Sequence, residues 1–339
     1  MIKLSIIILS YNTKELLRKC LESIIGDGYW RLGGSEKAIT QHPLPNTEII
    51  VVDNGSIDGS AEMVKTIINK LSLINQKKSP TPNPQPLITN HQSPITLKLI
   101  ENKENLGYAK GNNIGIKEAK GKYILFLNSD TEVFPGALKE AIDFMEKNPK
   151  IGALSAKTIL PSGKMDPDCH RGFPTPWASI TYFLGLEKLF PKSRIFGQYH
   201  KFYLNLDENH EIDSGAGAFM LIPQKVVDEV GVWDENYFFY GEDLDFFYRI
   251  KKAGFKVMFY VKPLLKHYKG ASSGLRKESK QLARNSKENR IRVAKASIEA
   301  MEIFYKKFYK DVYPSWLTFL VLTAIRIKGL FRVAGHYLK

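Results

Sequence analysis

Only two cysteines, Cys20 and Cys169, occur in 339 residues. That number excludes a disulfide framework and a cysteine-held zinc cluster, and it fits a reducing compartment. Nothing approaches the ~20 consecutive apolar residues of a membrane-spanning helix. The longest candidate, Trp316 to Ile325, is interrupted by Arg326 and Lys328. The opening MIKLSIIILSYN has an apolar run but no small-residue cleavage site, so it reads as a buried strand rather than a signal peptide. No Walker loop, dinucleotide fingerprint or nucleic-acid-binding module is present either.

Acidic charge is scarce at one end. From Lys262 to Lys339 there are 18 Lys and Arg against 5 Asp and Glu, whereas the first 261 residues carry 31 against 30. The net charge of +14 therefore belongs almost wholly to the tail, which must face something anionic. A hydrophobic share of 43% and a charged share of 25% are otherwise ordinary for a globular chain able to bury a large core.

What the sequence does hold is an alternation of strand and helix signals. Leu4–Leu9, Glu48–Val52, Leu97–Ile100 and Tyr123–Leu127 read as strands. Helices are expected near Thr13–Ile25, Ala61–Leu73 and Asn112–Ala119. Asn12 is the expected cap of the first helix, with Glu15 at capping-box spacing. Cys20 shares a helical face with Leu16, Leu17, Leu21 and Ile24 and reads as core. This rhythm predicts an α/β fold with a largely parallel sheet covered on both faces. Two stretches break it: the polar Gly26–Asn46, and Lys77–Pro94, whose five prolines fit only an extended loop.

Ligands of open parallel sheets sit beyond the carboxyl ends of the strands, and polar clusters stand at four such ends. SYN (Ser10, Tyr11, Asn12) follows the first strand and DNGS (Asp53, Asn54) the second. NLGYAKGNN (Asn105–Asn113, with Gly107, Lys110 and Asn113) follows the third. NSD (Asn128, Ser129, Asp130) follows the fourth. A carboxylate at Asp53 suits a base N–H or a ribose hydroxyl, although DNGS is also simply a good turn. The glycine-punctuated loop suits close approach to phosphate. Asp130 suits a hard divalent cation bridging a diphosphate, or a turn cap.

FYGEDLDFFYRI, Phe239–Ile250, sets three carboxylates among aromatics. A helical wheel places Glu242 and Asp245 on the arc of Arg249 and Lys252, as solvated partners of those cations. It leaves Asp243 between Phe246, Phe247 and Ile250. A carboxylate so placed is either satisfied by backbone donors or poised for proton transfer. His267, after an expected strand Lys256–Tyr260, is a structural histidine or a metal ligand.

Together, SIIILSYNTKELLRKCLESI, EIIVVDNGSIDGS, NLGYAKGNNIGIKEAKGKYILFLNSDTEV and GAGAFMLIPQKVVDEVGVWDENYFFYGEDLDFFYRIKKAG resemble glycosyltransferase family 2. The resemblance is to its bacterial rhamnosyltransferase-like members, over roughly residues 1–270. It implies the GT-A fold, a mostly parallel central sheet flanked by helices, and transfer of a sugar from a nucleotide-diphosphate donor to an acceptor hydroxyl with inversion. It further implies nucleoside binding by Ser10, Tyr11 and Asp53, and a metal motif at Asn128-Ser129-Asp130 in which Asn128 replaces the usual first aspartate. Asp243 would be the general base, and Asp130 with His267 would hold Mg2+ or Mn2+.

Residues 271–339 are expected to form a basic helical extension beyond the 1–270 domain, with Ile291, Val293, Ile298, Ile303 and Phe304 as an apolar stripe. It would bind an anionic membrane surface from the cytoplasmic side, near a sugar or lipid-linked acceptor, or else pack on the body or a second copy. No nucleic-acid partner is expected. The rival readings are a non-catalytic nucleotide- or nucleic-acid-binding protein and a sugar-phosphate nucleotidyltransferase, although the latter's Arg-containing N-terminal loop is missing where SYNTKE stands.

Overall fold

The structure is a computed structural model in which residues 2–26, 46–77, 95–270 and 287–337 are described. Nearly all of the Gly26–Asn46 and Lys77–Pro94 stretches, and the start of the basic tail, lie outside the described residues.

Four strands form the parallel half of one sheet: β1 (Leu4–Ser10), β2 (Thr47–Asp53), β3 (Thr96–Glu101) and β4 (Tyr123–Asn128). Their order is β3-β2-β1-β4. Apolar runs such as LSIIILS are buried at every position but Leu9 because helices cover both faces. The helices are α1 (Lys14–Ile25), α2 (Ser60–Lys77) and α3 (Tyr108–Glu118).

After Asn128 the strand–helix alternation stops and the sheet becomes mixed. β5 (Thr131–Val133), α4 (Ala137–Lys147), β6 (Ile151–Ile159), α5 (Pro176–Phe183), α6 (Leu186–Leu189), β7 (His210–Ile212), β8 (Phe219–Pro223), α7 (Gln224–Val230), α8 (Glu242–Lys252) and β9 (Lys256–His267) follow in order. β8 runs antiparallel to β4 and β6, while β9 is parallel to β6 and antiparallel to β5 and β7. The expected strand at Lys256–Tyr260 thus runs on to His267 and sets that side chain at the sheet's functional edge.

The first helix is not capped as expected. Thr13 stands at its N-cap without a side-chain cap bond. Asn12 takes a left-handed φ of 53°, and its Oδ1 accepts from the Ile57 N–H instead. α3 begins at Tyr108, four residues before the expected Asn112, because Gly107 (φ 87°) turns the chain there.

The described part of the basic tail packs on the body. α9 (Lys287–Phe308) buries Ala300, Phe304 and Tyr305 against Tyr237, Leu244 and Tyr248. α10 (Ser315–Tyr337) then lies on α9. α9 also overturns the helical-wheel placement of two carboxylates. Asp245 is fully buried and Glu242 nearly so, since α9 covers the arc that the wheel left to water. Asp245 does meet Arg249 (2.6 Å), but it also takes Lys307 from α9 (2.6 Å), and Lys307 binds Asp234 as well (2.5 Å).

α3 approaches β1 closely through glycines. A Cβ on Gly115 would come within 2.5 Å of Ile7 Cγ2, and one on Gly111 within 2.4 Å of Leu9 Cδ1. Gly115→Leu is expected to destabilise the fold by about 1–3 kcal/mol, the usual cost of overpacking a filled core. Urea unfolding of the purified variant measures it, and an unchanged midpoint would show that α3 can move off the sheet freely.

Candidate active site

Strand register builds the site. Ser10 pairs with Asp53, Asp53 with Glu101, and Leu9 with Asn128, so the polar clusters after β1, β2 and β4 leave the sheet at one level. Beyond that edge lies a cavity of about 990 Å³. Of the residues singled out by sequence, Tyr11, Asn54, Gly107, Asn128, Ser129, Asp130, Asp243 and His267 line it.

Five do not. Ser10 is buried, and its hydroxyl joins a chain to Thr13 (3.0 Å) and on to Ser129 (2.9 Å). Asn12 holds the loop after β2, with its backbone N–H donating to Ser56 Oγ. Asp53 is buried, with Oδ2 accepting from the Ser56 N–H at 2.9 Å and Oδ1 unpartnered. Burial outweighs that bond and raises its pKa. Lys110 and Asn113 follow from the early start of α3. Lys110 lies exposed on that helix, and Asn113 Nδ2 donates to Trp233 O and Glu235 Oε1, clamping the chain before α8.

The Gly-rich loop is shaped by Asn54, whose Nδ2 donates to Asn105 Oδ1 (3.0 Å) and Gly107 O (3.2 Å). Gly107 is required: a Cβ there would lie 2.6 Å from Phe238 O. The adjacent Tyr108 hydroxyl sits 3.1 Å from Asn128 Oδ1 and 3.0 Å from Gly217 O, fixing the amide of the NSD turn.

Two charged groups converge on the cavity. In the first, Asp130 Oδ1 lies 3.2 Å from His267 Nε2, and His267 Nδ1 lies 3.3 Å from Asp166 Oδ2. Lys269 bridges Asp166 and Asp168. Burial alone would lower the His267 pKa, but Asp130 and Asp166 reverse this and raise it to about 9. In the second, Arg171 Nη2 lies 2.6 Å from Asp243 Oδ2 and also donates to Gly215 O. Asp166, Arg171 and Lys269 belong to no motif recognised in the sequence, and Thr13 reads there only as the start of the first helix.

Among the described residues, no group of three or more His, Cys, Asp or Glu side chains converges to hold a metal ion alone. Asp130 and His267 nevertheless fit a shared cation. They offer one oxygen and one nitrogen donor, and Asp166 backs the far ring nitrogen as carboxylates do behind metal-bound histidines. A hard cation held by these two residues would need further oxygen donors, which a donor's phosphates and water would supply.

The sequence profile of "Glycosyl transferase family 2" matches residues 5–231. The chain belongs to glycosyl transferase family 2. Among curated relatives, it is 24% identical over 266 residues to an N-acetylglucosaminyl-diphospho-decaprenol L-rhamnosyltransferase of Mycobacterium tuberculosis, covering 75% of this chain and 76% of that one. It is 23% identical over 233 residues to a poly-beta-1,6-N-acetyl-D-glucosamine synthase of Staphylococcus epidermidis, covering 69% and 42%. The chain spans only 35% and 26% of two other relatives, an uncharacterized glycosyltransferase of Haemophilus influenzae and an uncharacterized protein of Sinorhizobium fredii. The fold is GT-A. The mannosyltransferase PcManGT of Pyrobaculum calidifontis, solved with GDP-Man and Mn2+, superposes with a TM-score of 0.50 at 15% identity over 99% of this chain and 73% of that one. GalNAc-T7, solved with UDP, GalNAc and Mn2+, gives 0.51 at 15% over 90% and 50%.

Glu242, beside Asp243, is the most perturbed acid in the cavity. Burial, with the neighbouring Asp243 charge, raises its pKa to about 8, and its Oε2 has no partner. The unfolded chain releases this proton near pH 4.5 and the folded chain retains it to about 8. Stability contributed by this group is therefore complete below pH 4.5 and is lost as pH rises to about 8. Glu242→Gln should unfold at a higher temperature than wild type, with a gap of several degrees that widens from pH 5 to pH 8. A gap independent of pH, measured by thermal scans, would mean the carboxyl is not held neutral.

Proposed function

We propose that the protein is an inverting, cation-dependent glycosyltransferase that moves a sugar from a nucleotide-diphosphate donor to an acceptor hydroxyl. One observation carries this reading: Asp130 with His267, and Asp243 with Arg171, line one cavity at the carboxyl ends of the parallel strands. The donor's nucleoside would lie along Tyr11, Asn54 and Gly107, while Asp53, buried outside that lining, would support it indirectly by holding the loop after β2 through the Ser56 N–H.

Asp243 would take the proton of the acceptor hydroxyl as its oxygen attacks the anomeric carbon. The bond from that carbon to the donor diphosphate breaks on the opposite side, so a single displacement inverts the configuration. Arg171 fixes the carboxylate orientation through Oδ2. Asp130 and His267 would hold Mg2+ or Mn2+, which supplies positive charge for the departing diphosphate. The Mn2+ in the two superposed structures supports that pairing.

The mycobacterial relative supports rhamnose as donor sugar and a lipid-linked acceptor in cell-surface polysaccharide synthesis. No described helix is long and apolar enough to cross a membrane. We place the enzyme peripherally, on the cytoplasmic face of an anionic membrane, held by α10. That helix carries Arg326, Lys328 and Arg332 and no carboxylate, and exposes Trp316, Phe319, Leu330 and Phe331.

A screen of nucleotide-sugar donors with Mg2+ or Mn2+ tests the reaction. Asp243→Asn should lower turnover by about 10²- to 10⁴-fold, the range for a lost general base, while donor affinity stays within about threefold. Transfer at the wild-type rate would remove Asp243 from the chemistry. Calorimetry tests the cation site separately. In Asp130→Ala, Mn2+ should no longer tighten nucleoside-diphosphate binding, whereas affinity without the cation should hold; tightening as in wild type would put the cation elsewhere.

A further inference from the structure

Arg171 meets Asp243, and the stretch of chain that carries Arg171 is clamped from two sides. On one side the Arg171 N–H donates to Ser214 O (2.8 Å) and the Ser214 N–H donates back to Arg171 O (2.9 Å), so the stretch runs antiparallel to the chain leaving β7. On the other the Gly172 N–H donates to Tyr199 O (2.6 Å), and a Cβ on Gly172 would come within 2.2 Å of Gln198 O. His170, fully buried, reaches both neighbours. Its Nδ1 lies 2.7 Å from His200 O, and its Nε2 lies 2.6 Å from Nε2 of His210 in β7. His210 Nδ1 lies in turn 2.8 Å from Glu208 O.

Counting hydrogens on these four ring nitrogens fixes the charge. A carbonyl oxygen only accepts, so both Nδ1 atoms carry a hydrogen. Two bare Nε2 atoms at 2.6 Å would set lone pair against lone pair, so one hydrogen lies between them. The pair thus holds three hydrogens, one more than two neutral rings, and a single positive charge. Burial, with the His210 charge adding to it, lowers the His170 pKa to about 4, which makes His170 the acceptor and His210 the imidazolium. The Phe259 ring of β9 lies against both, 4.9 Å from His170 and 5.3 Å from His210, and can bear the charge on its π-face. The charged groups around the pair are matched with one another: His200 with Glu187, Lys201 with Asp213, Lys251 with Asp213 and Glu211, Lys157 with Asp207, Asp168 with Lys269 and Arg171 with Asp243. The Glu208 carboxylate takes the Asn205 amide.

Resting on the transfer reading above, we propose that His170 and His210 are positioning residues: the hydrogen shared by their rings holds β7 against residues 169–172 and so sets Arg171 on Asp243. Transfer then requires the singly protonated pair. With two hydrogens, one of the three contacts loses its donor. With four, two imidazolium rings face each other and repel. Either change loosens the frame on which Arg171 stands, so activity is confined to the pH range between them.

NMR of the full chain, with 15N in histidine and arginine, reads the pair without any transfer. The His210 signals are those lost in His210→Gln, and the His170 signals are those which that change shifts. Three of the four ring nitrogens should be protonated and one bare. On raising the pH, loss of the third hydrogen should shift the Arg171 side-chain N–H signals at the same pH, and in His210→Gln those signals should stay fixed. Turnover in the donor screen gives the second readout. His210→Phe removes the hydrogen offered to His170 and should lower kcat about tenfold or more, with the donor KM within about threefold, as for a misplaced rather than missing catalytic group. His210→Gln keeps an N–H for His170 but takes up no proton, so it should restore turnover and lose the pH limb that matches the NMR change. In an Asp243→Asn background His210→Phe should cost nothing further, because the two changes act through one group.

Two hydrogens on the pair at the pH of full activity would overturn the proposal, as would Arg171 signals that ignore the change in the pair. An equal loss from His210→Phe with and without Asp243 would mark a merely structural contact and also overturn it. Should His210→Phe not fold, His210→Gln decides: a wild-type pH profile in that variant sinks the idea. If the three hydrogens and the Arg171 shift are seen but no nucleotide sugar is turned over, the positioning pair stands and the transfer reading falls.

Discussion

The register of β1 against β2 and β4 is the constraint from which the site follows. Pairing Ser10 with Asp53 and Leu9 with Asn128 brings three strands to an end at one level. Each then turns outward with a polar cluster. Since β1 is apolar on both faces, its isoleucines alone would tolerate a slip. What a slip would break are particular fits: Ser5 Oγ accepting from the Gly121 N–H, the Ser10–Thr13–Ser129 hydroxyl chain, and Gly111 and Gly115 seated on Leu9 and Ile7. Those fits set the level at which Asp53 and Asp130 leave the sheet. Short polar chains lock the turns: Ser10, Thr13 and Ser129 by their hydroxyls, and Asn54 across the Gly107 loop.

The opposite wall is held differently. α8 has Phe246, Phe247 and Ile250 in the core and Asp245 beneath α9, where Arg249 and Lys307 neutralise it. A buried carboxylate with two cations adds little net stability over an apolar residue, but removing either cation would leave its charge under-compensated beneath α9. α9 in turn carries α10, so the basic helix is tied to the helix that bears Asp243. α8 and the described part of the tail are one packed unit, joined through Tyr237, Leu244, Tyr248 and Phe304.

Much of this was legible in the sequence, for reasons that also explain the failures. β1, β2 and β4 were visible because strands buried on both faces must be continuously apolar, whereas β3 (TLKLIE), half exposed at the sheet edge, was visible only through its place in the strand–helix rhythm; the polar ends marked the crevice. Asp243 stood out because its helical arc was otherwise Phe and Ile. Glu242 and Asp245 were misplaced because a wheel sees one helix, and the cover on their arc comes from α9, over forty residues downstream. Lys110 and Asn113 were drawn to the cavity by proximity to glycines. Gly107 starts α3 early and turns Lys110 to solvent and Asn113 onto Trp233. Arg171 and Asp166 had no periodic signal: their partners, Asp243 and His267, lie 72 and 101 positions away and meet them only in the folded sheet.

Two adjacent carboxyl groups in one cavity show how local packing divides chemical roles. Glu242 and Asp243 are neighbours at the start of α8, where the helix dipole favours negative charge for both. Arg171 gives its charge to Asp243 at 2.6 Å, and Glu242 is left buried with an unpartnered oxygen. Repulsion from Asp243 adds to that burial and keeps the Glu242 proton on to about pH 8. One guanidinium thus separates the pair into an ion-paired carboxylate and a neutral acid, a division of labour seen wherever two acids must not ionise together. Both line the cavity, and the difference between them depends on Arg171, which lies between β6 and α5, well outside the motifs of the parallel sheet.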